Sequence, residues 1–155
     1  MSLKASVVVT LFRNTKWLEE AIDSIEKQTY KVDNKYLLLD GGSVDINHLN
    51  LYNWTVIRSD DNLGQFGLFE KYKHRFLGDR IFILDSDDKW LIDHVSVHMR
   101  NHFEADILYS KNYVFLENGS VRRAGLWPSV HSRNALYYVN WIGPISKVSF
   151  SPKSF

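Results

Sequence analysis

Apolar and polar positions along this chain fall into two alternating rhythms. The first is a near-continuous run, Ala5 to Phe12 (ASVVVTLF), rich in β-branched residues. Such a run predicts a strand covered on both faces rather than one with a wet side. The next stretch places Trp17, Leu18, Ala21, Ile22 and Ile25 on one side of a helix, with Asn14 or Thr15 available to cap it. The rhythms then repeat. Strands are predicted at Lys35 to Leu39, Trp54 to Arg58 and Arg80 to Leu84, separated by a weak helical pattern over Val44 to Leu51 and a clearer one over Gly64 to Phe76. Ile92, Val95, Met99 and Phe103 mark the stripe of a further helix. ADILYS (Ala105 to Ser110) resumes the strands. NYVFLENGSVRR (Asn112 to Arg123) reads as a hairpin turning at Asn118-Gly119. From Ala124 onward there is no strong periodicity, only aromatics and a last strand near Val148.

Strand and helix alternating in this way imply a parallel sheet with right-handed crossovers, in which ligands bind beyond the carboxyl ends of the strands. Asp40 closes the second predicted strand and Asp85 the fourth, so the pattern puts both on one edge. The stretch FILDSDDKW (Phe82 to Trp90) then sets three aspartates, Asp85, Asp87 and Asp88, directly against an apolar run. Carboxylates spaced Asp-x-Asp at a strand end can turn oxygens toward one hard divalent cation, Mg²⁺ or Mn²⁺, which takes one or two carboxylates and completes its shell with substrate phosphates. The competing reading is a solvated acidic turn in which Asp88 or Asp93 caps the next helix. A calcium EF-hand loop does not fit, because Lys89 and Trp90 stand where ligands and a glycine are needed. Phosphatases with an aspartyl nucleophile also carry Asp-x-Asp after an apolar strand; Lys89 departs from their usual continuation, which leaves that reading as a minor rival.

Composition narrows the class. The 155 residues suffice for one domain with a real core, and 45% of them are hydrophobic. Lys and Arg number 19 against 18 Asp and Glu, which argues against a nucleic-acid partner held by a broadly positive surface. Without cysteine there is no disulfide framework and no thiolate zinc site. MSLKAS lacks the apolar core of a signal peptide, and no apolar run is long enough to span a bilayer. The expectation is a soluble, cytoplasmic protein; on that view the glycosylation-like triplets at Asn53 and Asn118 are chance matches.

Taken together, ASVVVTLFRNTKWLEEAIDSIEKQTY, LLLDGGSVD, DDNLG and GDRIFILDSDDKW, in this order and spacing, resemble family 2 glycosyltransferases of the GT-A fold. A weaker likeness continues through ILYSKNYVFLENG. The resemblance implies an α/β fold: a GT-A, Rossmann-like, mostly parallel sheet flanked by helices, with a small antiparallel hairpin. It implies transfer of a sugar from a nucleotide diphosphate donor, UDP-linked by expectation, to an acceptor hydroxyl. Carried over by position, Thr10 and Phe12 line the base pocket, with strand packing as the alternative use of both. Asp40 accepts from the base, and Asn62 and Gly64 belong to the donor loop. Asp85 and Ser86 lie near ribose and phosphates, and Asp87, with Asp85, holds Mn²⁺ or Mg²⁺. The implied acceptor is a sugar or lipid-linked molecule, as in surface polysaccharide or glycolipid synthesis, with peripheral association at the inner face of the membrane and no spanning segment.

The chain departs from the family pattern in three places. Asp40-Gly41-Gly42-Ser43 stands where Asp-Asp-Gly-Ser is usual, which leaves nucleotide selectivity open. Leu68, Phe69 and Glu70 occupy the positions of a usual Ala-Arg-Asn, with Lys71 or Lys73 as substitute cations or plain surface. The acceptor half ends without a recognisable catalytic base, so residues 1–155 are expected to be one GT-A-like domain truncated or reduced on the acceptor side. Glu104, Asp106 and Glu117 are base candidates by residue type alone. A nucleotide-sugar-binding module that is catalytically silent and works with a partner chain, through the tail aromatics Trp127, Tyr137, Tyr138 and Trp141, is the alternative. His94, His98 and His102 recur every four residues, but the outer two are about 12 Å apart along a helix and cannot share an ion; a boundary between core and solvent accounts for them. His131 has no clearer role than donor contact.

Overall fold

The computed structural model describes residues 2–13, 15–103, 105–111, 113–115, 120–123 and 145–152. A six-stranded sheet runs in the order β3-β2-β1-β4-β8-β5. Its members are β1 (Ala5–Leu11), β2 (Val32–Asp40), β3 (Trp54–Ser59), β4 (Arg80–Asp85), β5 (Ile107–Tyr109) and β8 (Val148–Phe150). The first four are parallel; β8 runs antiparallel to both β4 and β5. A separate two-stranded antiparallel sheet joins β6 (Tyr113–Phe115) to β7 (Val121–Arg123). The hairpin is thus present at the expected strands, while its turn at Asn118-Gly119 lies outside the described residues. This is the architecture the resemblance implied.

The unbroken apolar run of β1 has its explanation in the two cores it separates. Val7, Val9 and Leu11 point to one face with Leu37, Leu39, Phe82 and Leu84, where α1 (Leu18–Glu26) adds Leu18, Ala21, Ile22 and Ile25. On this face α3 (His94–Arg100) contributes Val95 and Met99. Val8 points the other way, to Leu38, Ile57, Ile81 and Ile83, under Leu68 and Phe69 of α2 (Gly64–Tyr72). Side chains alternate faces along a strand, so a central strand covered twice must be apolar at nearly every position.

Three local expectations need correction. Residues 44–51 form no helix. Asp45 Oδ1 accepts the Asn47 N–H at 2.9 Å and Asn50 Oδ1 accepts the Tyr52 N–H at 3.3 Å, so short polar side chains capture backbone donors that a helix would need. Val44 and Ile46 are nevertheless buried, and the connection crosses the sheet as an anchored loop. The stripe of α3 is Val95, His98 and Met99; Ile92 and Phe103 lie outside the helix and are largely exposed. The N-cap of α1 is Trp17 and carries no side-chain capping bond; Thr15 contributes only its carbonyl, to Leu18 N–H at 3.1 Å. Asn14 lies outside the described residues.

Arg80 was legible only as the first residue of a strand. It is fully buried, donating to Ser149 O at 3.2 Å, Ser149 Oγ at 3.0 Å, His102 Nδ1 at 3.3 Å, His102 O at 3.1 Å and the Ala105 carbonyl. The guanidinium thereby ties β4 to β8 and to the segment that follows α3. Burial lowers its pKa from the ordinary arginine value, and Asp106 acts in the opposite sense.

Candidate functional site

The strand register assembles the site. Thr10 at the end of β1 pairs with Asp85 at the end of β4, and Asp40 ends β2 alongside Leu39, whose partner is Leu11. All three therefore reach the same carboxyl edge. Thr10, Phe12, Asp40, Asp85, Ser86 and Asp87 line one cavity of about 280 Å³ there. Of the residues expected at the site, Asn62 and Gly64 do not line it; they belong to the loop behind Asp40.

That loop is held by a carboxylate. Asp40, 3% exposed, accepts the Leu63 N–H at 2.7 Å on Oδ1 and the Gly64 N–H at 2.8 Å on Oδ2. These are donors at the start of α2, whose N-cap Leu63 has no capping side chain of its own. An anion is favoured at a helix N-terminus, so β2 supplies the cap that α2 lacks. Asn62 Oδ1 accepts the Gly64 N–H as well, at 3.3 Å. Gly41 makes this close approach possible. It sits at φ 70°, and a Cβ there would lie 3.0 Å from Asn62 N and 3.2 Å from Asp61 C. The glycine in place of the family's second aspartate is thus a packing requirement of the clamped loop. An ionised carboxylate has about four acceptor sites, so Asp40 retains capacity toward the cavity.

The clamp also places a residue that sequence reasoning missed. Gln65, in the first turn of α2, donates through Nε2 to Thr10 Oγ1 at 2.9 Å and to Asp85 Oδ1. It staples the ends of β1 and β4 to the helix. Its only sequence signal was being the polar residue directly after the loop glycine. Ser146 was missed too, in a stretch without periodicity: its Oγ accepts the Asp85 N–H at 2.9 Å. Burial raises the pKa of Asp85 above the usual carboxylate value. The Gln65 hydrogen bond opposes this, the Asp88 charge adds to it, Ser146 opposes it, and Asp87 adds to it.

Asp87 and Asp88 are exposed at the mouth of the edge, and Asp88 N–H closes a turn on Asp85 O at 3.1 Å. Asp93 occupies the N-cap of α3 but its side chain makes no capping bond, so capping does not account for the acidic cluster. Among the described residues no group of three His, Cys, Asp or Glu side chains is arranged to hold a metal ion. Asp85 and Asp87 both line the cavity, and their oxygens are of the donor type that could hold Mg²⁺ or Mn²⁺ together with ligand oxygens. Phe12 is 41% exposed with Arg13 stacked 4.6 Å from its centroid, so it belongs to the cavity rim and not to the core.

Other candidates fall elsewhere. Asp106 precedes β5 at the opposite edge, where its backbone carbonyl accepts the Ser151 N–H and its charge acts on Arg80. It is too far round the sheet to serve as a base at Asp85. Glu104, Glu117, His131 and the aromatics Trp127, Tyr137, Tyr138 and Trp141 lie outside the described residues. His94 and His98 stack in a row behind the loop: Trp90 lies on His94 with centroids 4.7 Å apart, and His94 lies 4.5 Å from His98. Burial, aided in His94 by His98 and in His98 by Arg80, lowers their pKa values to about 3 and about 4.

Residues 6–145 match the family model described as Glycosyl transferase family 2. No curated protein matches the sequence. Among solved structures, S. aureus TarS 1–349 in complex with UDP-GlcNAc superposes with a TM-score of 0.70 at 17% identity, covering 97% of this chain and 46% of that one. The same fragment with UDP gives 0.69 at 18% identity, covering 97% and 47%. The mannosyltransferase PcManGT from Pyrobaculum calidifontis, in complex with GDP-Man and Mn²⁺, gives 0.52 at 18% identity over 62% of this chain and 31% of that one. At these identities the likeness is one of fold. The chain spans less than half the length of the structures it matches.

Proposed function

Since this chain belongs to glycosyl transferase family 2, we propose that its carboxyl-edge cavity binds a UDP-sugar, with a divalent metal, for transfer of the sugar to an acceptor hydroxyl. The observation that carries this reading is the convergence of Thr10, Asp40, Asp85, Ser86 and Asp87 on one cavity from the ends of three adjacent strands. In this reading Phe12 and Thr10 border the base, and the remaining acceptor capacity of Asp40 meets a base N–H. Asp85, held by Gln65 and Ser146, and Ser86 face ribose and phosphates. Asp85 and Asp87 would hold Mn²⁺ or Mg²⁺, whose chemistry when bound is to offset the charge of the departing diphosphate. The protein's own contribution is preorganisation: Asp40 and Asp85 are fixed by strand ends and by their bonds to α2 before any ligand arrives.

We extend the reading to residues 1–155 as one GT-A-like unit, to a sugar or lipid-linked acceptor, and to action at the cytoplasmic face of a membrane. No helix among the described residues is long and apolar enough to cross one. A thermal-shift panel of UDP-, GDP-, TDP- and CMP-sugars with and without Mn²⁺ tests the donor reading. A ligand at about a hundred times its dissociation constant adds about 2.7 kcal/mol of stability. The expected result is stabilisation by UDP-sugars that grows with Mn²⁺; indifference to every donor would reject the site.

A further inference from the structure

We propose that two copies of this chain pair through β3, antiparallel and edge to edge, about a two-fold axis at Val56. The six-stranded sheet ends in β5 on one side and β3 on the other. The β5 edge is blunted by its length of three residues. The β3 edge is six residues long and runs beside β2 without a bulge from Trp54 to Ser59. Trp54 N–H turns to the Leu51 carbonyl at 3.0 Å, but residues 55–58 have no backbone partner on their outer side among the described residues. Natural sheets protect such an edge with lysine, proline or a bulge, and WTVIRS has none of these.

The surface beside this edge is largely apolar. Val56, 38% exposed, and Arg58 line an open hollow of about 630 Å³ together with Ile46, Asn47, Leu49 and Leu51. Among the described residues no carboxylate pairs with Arg58, which reaches only the Val44 carbonyl, at 3.5 Å.

A second copy fits this edge in one register. A two-fold axis perpendicular to the sheet keeps every side chain on its own face, so the axis passes through a residue and not between two. Placed at Val56, it sets Val56 against its own copy and Thr55 against Ile57 of the other chain, which gives β-branched pairs on both faces. It also sets Arg58 opposite Trp54 of the other chain. Trp54 Nε1 donates to Glu26 Oε1 at 3.0 Å, so that ring carries a carboxylate within an arginine's reach. Glu26 already receives Lys35, and an ionised carboxylate has room for a further donor. The two Arg58 side chains, each two residues from the axis, stay about 14 Å apart along the strands. An axis at Ile57 would lay Arg58 against Val56, and one at Thr55 would pair fewer residues of each strand. Antiparallel pairing sends the two carboxyl edges in opposite directions, so each donor cavity stays open and independent of the other copy.

Sedimentation equilibrium of the unsubstituted chain over a dilution series is the first test. One strand per copy lies at the weak end of protein interfaces, so the average mass is expected to climb from one chain toward two as concentration rises. The mass of a single chain at every dilution overturns the proposal. Because the chain has no cysteine, single cysteines can then read the register. Residues directly opposite in an antiparallel pair have Cα atoms about 4.5–5.5 Å apart, inside the window for a disulfide. Val56→Cys is therefore expected to give a disulfide-linked dimer on mild oxidation. Thr55 is also exposed, but its two copies are offset by about 7 Å along the strands as well as across them, so Thr55→Cys should link far less. Equal linking by the two variants, or none by either, overturns the pairing. Val56→Lys puts like charges on the axis and is expected to leave a folded monomer, checked by circular dichroism, with UDP affinity unchanged. A dimer that survives this substitution uses another surface and overturns the proposal. Failure of UDP to bind the unsubstituted chain strikes the donor reading instead and leaves the masses and the cross-links as informative as before.

Discussion

Single residues at the carboxyl edge carry distinct loads. Asp87 is exposed and makes no described contact that the fold depends on, so Asp87→Ala should change stability by no more than about 0.5 kcal/mol. The same change is expected to abolish the Mn²⁺-dependent part of UDP-sugar stabilisation, readable in a single thermal-shift comparison. The buried histidines carry a different signature. His94 and His98, with pKa values lowered to about 3 and about 4, stay neutral in the folded chain at pH values where the unfolded chain protonates them. The unfolded state then binds more protons, so stability is fully present above about pH 6.5 and falls as pH drops toward the folded values, by up to about 1.4 kcal/mol per pH unit for each histidine. Urea midpoints at pH 7, 6 and 5 should show this decline, and His98→Gln should flatten it relative to the parent chain. An unchanged slope would mean that His98 is hydrated in the folded state.

At the level of elements, the decisive contact is the docking of the α2 N-terminus on β2. Asp40→Asn keeps the shape but removes the charge that receives Leu63 and Gly64 N–H. Hydrogen bonds to charged groups are worth about 1.5–3 kcal/mol, so a loss of that order is expected in chemical denaturation. Gly41→Ala acts on the same joint from the other side. Its left-handed φ costs about 1 kcal/mol in a non-glycine residue, and the added Cβ would press on the Asp61–Asn62 backbone. Both variants should displace Gln65 from Thr10 and Asp85 and so weaken UDP binding beyond their effect on stability. UDP affinity equal to that of the parent would separate the clamp from the cavity.

Across the whole molecule, the sheet is extended past β4 by short strands that cannot stand alone. Val148–Phe150 and Ile107–Tyr109 are three residues each, and Arg80 binds their backbone surroundings from the start of β4. Removing the donor from a buried hydrogen-bond network leaves its neutral acceptors unsatisfied and costs about 1–3 kcal/mol. Arg80→Met is expected to fall in that range by urea denaturation, with hydrogen exchange first accelerated in β8 and β5. This extension matters for function because Ser146, which meets Asp85, enters on the same segment.

The sequence by itself determined the parallel core, because strands covered on two faces must be apolar at almost every position, and that pattern is visible without coordinates. It also placed Asp40 and Asp85 on one edge, since parallel strands all end on the same side. It did not reveal the roles of Arg80, Gln65 or Ser146. Each is a polar residue whose use depends on partners remote in the chain, and no local period encodes a contact 55 or 69 residues away. The helix expected over residues 44–51 failed for a related reason: Asp45 and Asn50 had local bonds to make that outweighed a weak apolar rhythm. Tertiary structure alone decided that Asp40 holds the loop as well as facing the cavity, and that Gln65 staples two strand ends to α2, because both follow from packing between elements.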